Sequence, residues 1–209
     1  MCLAHVPYFM AISGRRREAR AAADDIVAKV EAAGVPVAIL TAFLGVGHAL
    51  AGTDARAAIA AFERVTAIAR NSGNRMFENV AIPQIAVLRA RDGDIAGALD
   101  NFRTMFNAWH GTAETLLVSN GIGGLTVLFE RLGRCNAAAV LHGVLNRMLP
   151  SNPFVEELPA TAVRLREALG RPAFDDLTRR GAAMDLHDAI EYAQEQIEKA
   201  IGELGCTPA

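Results

Sequence analysis

The sequence predicts an all-α fold of antiparallel helical hairpins, stacked side by side into an α-solenoid and followed by a helical tail. Three observations predict it. A turn followed by a small-residue helix start recurs at Thr53–Phe62, Gly93–Phe102 and Gly133–His142. A fixed period of about forty residues marks stacked helical pairs rather than one closed core. Apolar residues recur at helical spacing along most of the chain, and no stretch alternates long enough to make a strand.

Leu3 to Ile12 is apolar and lacks a capping residue, so it reads as the second helix of a hairpin whose first helix is missing. A helix from Arg16 to Ala33 follows, with Ala19, Ala23, Ile26 and Val30 on one stripe. Gly34 and Pro36 break it, and an almost wholly apolar helix runs on to Ala51. Thr53 or Asp54 caps the next helix, whose stripe is Ala58, Phe62, Val65 and Ala69. After the turn Asn71–Asn74, a helix spans Arg75 to Arg91. Its Pro83 requires a kink near Asn79 or a late helix start.

Asp94 caps a helix with Leu99, Phe102, Met105 and Phe106 on its apolar face. Trp109 ends that helix in the repeat core, and His110-Gly111-Thr112 closes it and caps another. This one runs through Gly121, Gly123 and Gly124 to Leu132. Each glycine there costs about 1 kcal/mol against alanine, a cost offset by close approach of a neighbouring helix. Asn136 to Met148 is the next helix, and Leu149–Pro153 is linker-like. The chain is thus expected to divide into repeats over 1–149 and a tail over 150–209. The tail comprises Ala160–Leu169, Pro172–Arg180 and Leu186–Leu204 and packs on the last repeat. Asp185 and Asp188 suit the start of the last helix, and Leu186, Ile190, Ala193, Ile197 and Leu204 line one side of it.

Apolar residues make up 52% of the chain and aromatics 6%, so the apolar content is Ala, Leu, Val and Ile, suited to close helix contact. A net charge of −2 gives no electrostatic case for nucleic acid or an anionic membrane. Lysine occurs at Lys29 and Lys199 alone, every other basic residue being arginine. Cys2, Cys135 and Cys206 are odd in number and far apart, as in a reducing compartment. No secretory leader opens the chain, so a cytoplasmic protein is expected. The apolar runs Val35–Ala51 and Leu116–Phe129 read as buried helices rather than membrane spans.

No motif carries catalysis, a metal or a cofactor. Gly45-Val46-Gly47-His48 lacks the third glycine and the strand of a dinucleotide site, so its glycines read as packing positions. His5, His48, His110, His142 and His187 form no ligand cluster, and His48 and His142 read as core or groove residues with local hydrogen bonds. The acid pairs Asp24-Asp25, Glu156-Glu157 and Asp175-Asp176 are adjacent on helices and face apart, and Arg15-Arg16-Arg17 reads as an exposed run. The candidate binding residues are Asn74, Asn79, Gln84 and Asn120, uncharged polar groups on or beside apolar helices and able to bond a peptide backbone or a small effector.

The three turns resemble degenerate tetratricopeptide-type repeats. The tail adds Ala162-Val163-Arg164-Leu165-Arg166-Glu167-Ala168-Leu169-Gly170, Ala173-Phe174 and Arg180-Gly181-Ala182-Ala183-Met184-Asp185-Leu186-His187-Asp188-Ala189-Ile190. From Gly14 to Ile201 the chain is similar to the C-terminal helical regions of bacterial signalling ATPases, including LuxR-type and adenylate-cyclase-linked regulators. That resemblance implies a non-catalytic module that senses an effector or holds a protein partner, such as an ATPase or cyclase domain. The chain has no phosphate-binding loop and stops at Ala209 without a helix-turn-helix. An excised segment, a remnant of a split gene or a free-standing adaptor is therefore expected. A dimerising structural array, paired through the uncapped first helix and the tail, is the alternative. An enzyme with an unrecognised helical site is a weaker third.

Overall fold

The computed structural model describes residues 2–108, 115–149, 155 and 157–205. Among these there are eleven helices and no strand. They are α1 (Cys2–Ile12), α2 (Arg16–Ala33), α3 (Pro36–Leu50), α4 (Ala55–Ser72), α5 (Arg75–Arg91), α6 (Ile95–Ala108), α7 (Thr115–Arg131), α8 (Cys135–Met148), α9 (Leu158–Leu169), α10 (Arg171–Ala183) and α11 (Leu186–Gly205). The chain forms two compact units, Met1–Asp92 and Gly93–Ala209, so the 149/150 position lies inside the second. Trp109, His110 and the turn Gly111-Thr112 lie outside the described residues, as do Pro150–Phe154 and Cys206.

In the first unit the expected stripes face inward. Ala19, Ala23, Ile26 and Val30 of α2 are buried, as are Ala58, Phe62, Val65 and Ala69 of α4. The Asp54 carboxylate accepts a bond from the Ala57 N–H at 3.0 Å, occupying one of the free donors at the start of α4. Pro36 stands in the first turn of α3, where its missing N–H costs nothing. Helix α5 starts at Arg75 and runs through Pro83, so the late start does not occur. Pro83 is buried, and its missing donor leaves the Asn79 carbonyl without an i+4 partner.

Helix α1 turns at Gly14 into α2 and packs against both α2 and α3. This turn belongs to the repeat. Gly14-Arg15 falls in register with Thr53-Asp54, Gly93-Asp94 and Gly133-Arg134. Ala19, Ala58, Ala98 and Ala138 follow at the matching position, each fully buried. Gly34 and Gly73 also match, both ending helices in the left-handed conformation. An arginine stands at the capping position of the Gly14 and Gly133 turns, which hid the first of these from the sequence pattern.

The second unit is built round α8, which packs against α7, α9, α10 and α11. Asp94 accepts from the Gly97 N–H at 2.9 Å, and Leu99, Phe102, Met105 and Phe106 are buried as expected. Asp185 accepts from the Asp188 N–H at 2.9 Å, giving α11 its cap. Helix α11 packs chiefly against α6, the first helix of the unit, and Gln194 donates to Asn107 at 2.9 Å. Its buried stripe is Ala189, Ile190, Ala193, Ile197 and Ala200. Leu204, expected in that stripe, is 42% exposed and stands in the last turn of α11. Arg134 bonds Glu203 at 2.5 Å and Gln196 at 3.4 Å, tying α11 to the start of α8.

Candidate functional site

Of the four polar residues singled out in the sequence, three lie on or beside α5 in the first unit and one on α7 in the second. Asn74 sits at the N-cap of α5, half-buried, without a side-chain capping bond. Asn79 and Gln84 are half-buried on the same helix. Five positions apart, they point about 140° from one another round the axis. Asn120 lies in the other unit, on α7, only 3% exposed. Its Oδ1 has no hydrogen-bond partner among the described residues.

A more coherent surface is the outer face of α1. This helix turns its small or compact residues inward, with Ala4, Pro7 and Ala11 buried. Two of its large residues are left open: Leu3 is 68% and Phe9 56% exposed. His5, Val6, Phe9, Met10, Ser13 and Arg15 line an open cavity of about 480 Å³ along this face. Arg15 is the single charged residue in that lining, and Cys2–Ile12 contains no acidic or basic side chain other than His5. The sequence signal was a helix apolar all round, which needs cover on more than one side.

Close contacts hold α1 on its inner side. A Cβ at Gly45 of α3 would stand 2.7 Å from the Tyr8 amide nitrogen and 2.8 Å from the Pro7 Cβ, so only glycine admits α1 at this distance. A Cβ at Gly47 would lie 2.5 Å from the Phe62 ring. Both glycines are thus packing positions. Beside them, His48 is gripped edge-on by Tyr8 and Phe62, with ring centroids 5.5 Å and 5.3 Å away. Burial, and secondarily the Arg16 charge, push the His48 imidazole down to about 4. Burial pushes the Tyr8 phenol up to about 12. The His48 Nε2 finds no partner among the described residues, contrary to the local bond expected of it. Neutral and walled in by rings, this imidazole has the character of a packing group, not of a base poised near neutrality.

His142 does make the local bond, its Nε2 lying 3.1 Å from the Asn146 amide nitrogen. The Phe174 ring packs 5.7 Å away, and burial, then the Arg166 charge, lower its imidazole. A second cavity of about 480 Å³ is lined by Met184, Asp188, Glu191, Tyr192 and Glu195. Two of those acids are already engaged, Glu191 with His187 at 3.1 Å and Glu195 with Lys199 at 2.7 Å. Among the described residues no three His, Cys, Asp or Glu stand together as a metal site requires. None of the described helices is long and apolar enough to cross a membrane.

Compared with protein-family models, curated proteins and solved structures, the chain matches none of them. Among the described residues, α1 carries two of the exposed large apolar side chains, Leu3 and Phe9.

Proposed function

We propose that the chain is a non-catalytic helical-repeat module that binds a protein partner within a bacterial signalling or transcription regulator. One observation carries this reading. Phe9 of α1 is 56% exposed and lines an open cavity with His5, Val6 and Met10, whereas the stripes of α2, α4 and α11 are buried. Exposed contiguous apolar surface on a helix favours association. A photoreactive residue at position 9, introduced into the chain in its native cells, is expected to give one dominant protein adduct. The same residue at Met76, exposed on α5, is expected to give none. Equal adducts at both positions, or ATP hydrolysis by the purified chain above the buffer blank, would overturn the reading.

The second reading is a homodimer through α1. The absence of acidic and fixed basic side chains in Cys2–Ile12 favours it, since two copies of this helix can cross without like-charge repulsion. A single-chain mass by light scattering at micromolar concentration removes it.

A further inference from the structure

We propose that the contact of α1 with α3 is an acid-released latch: uptake of one proton by His48 undocks α1 while the rest of the first unit stays folded. This goes beyond the protein-binding reading above and does not depend on it.

The geometry of that contact is the first argument. Gly45 lets α3 approach the backbone of Pro7 and Tyr8, and His48, three residues on, stands with its ring between Tyr8 of α1 and Phe62 of α4. Its Nε2 is buried without a hydrogen-bond partner among the described residues. A protonated imidazole donates from both nitrogens, so the charged ring would bury an N–H that nothing accepts. The groups that face it bring no negative charge. They are the Tyr8 phenol from α1, which burial keeps protonated, the Phe62 ring from α4, and the Arg16 guanidinium from α2, which repels a second cation.

Which wall gives way is the second argument. Phe62 is fully buried in a core cluster with Leu40, Val65 and Leu88, so α4 cannot leave without uncovering large side chains. The residues that α1 buries are small, Ala4, Pro7 and Ala11, while Val6, Tyr8 and Met10 are partly buried. Apolar burial stabilises in proportion to area, and local opening begins where least of it is buried. Undocking α1 takes the Tyr8 wall off the imidazole and admits water to it. The folded value of about 4 lies below the open-chain value of 6.5, so the proton favours the open form. Undocking therefore grows as pH falls from about 6.5 towards 4.

The test is amide hydrogen exchange, read by mass spectrometry on the full chain at pH 7.5 and 5.5, with each rate divided by its intrinsic value at that pH. In the parent chain, α1 is expected to open about three- to tenfold more at pH 5.5, the upper figure being the full linkage of a shift from 6.5 to about 4. At both values α1 should be less protected than α4, the mark of a local event. In His48→Leu the exchange of α1 should not change with pH. A pH-flat α1 in the parent chain, the same rise in His48→Leu, or equal protection of α1 and α4 at pH 5.5 overturns the proposal. A measurement on the parent chain alone guards against a variant that misfolds. The NMR titration of the His48 ring proton is expected to have its midpoint below about pH 5. A midpoint at its ordinary value, about 6.5, also overturns the proposal.

Discussion

His48 is a neutral imidazole wedged between Tyr8 and Phe62, and its position makes stability depend on pH in a definite direction. Its folded value of about 4 lies below the unfolded value of 6.5. The unfolded chain therefore takes up the proton first, and stability is lost as pH falls from about 6.5 towards 4. Between pH 7.5 and 5.5 the loss from this residue should be about 1.4 kcal/mol. Urea unfolding of the parent chain and of His48→Leu at both values checks it, since the variant should be flatter by that amount. His142, lowered in the same direction, is present in both proteins and cancels. Caps were readable at this scale, because Asp54, Asp94 and Asp185 act on amides three residues away. The surroundings of His48 were not, because Tyr8 and Phe62 come from other helices.

Helix stripes were equally legible, since burial of Ala58, Phe62, Val65 and Ala69 follows from spacing alone. Which helices meet, and how closely, was not. Helices α8 and α10 cross with Gly143 against the Thr178 carbonyl and Gly181 against the Val140 carbonyl. A methyl group at either position would strike backbone, which cannot swing aside. Gly143→Ala should therefore destabilise the protein by about 3 kcal/mol, outweighing a gain of about 1 kcal/mol in helix propensity. Gly202 of α11 has open space around it, so Gly202→Ala should instead stabilise by up to about 1 kcal/mol. Denaturation midpoints of the two variants should move in opposite directions. The return of α11 to α6 was likewise hidden, because Gln194 and Asn107 are 87 positions apart and neither announces the other.

Across the whole molecule one turn recurs four times, yet the two units are completed differently. The first ends on the open side of α1, while in the second α11 packs back on the opening helix α6. A partner-covered α1 predicts that the isolated chain is monomeric. Light scattering at micromolar concentration should read 22.2 kDa, and twice that mass would favour the homodimer. The arginine-for-lysine bias has a practical result at this scale. Lys29 lies in the first unit and Lys199 in the second, both with largely exposed side chains. Apart from the amino terminus, an amine-directed dye therefore tags each half once. A donor and acceptor placed this way would act as a built-in ruler for the separation of the halves, with no engineered cysteine.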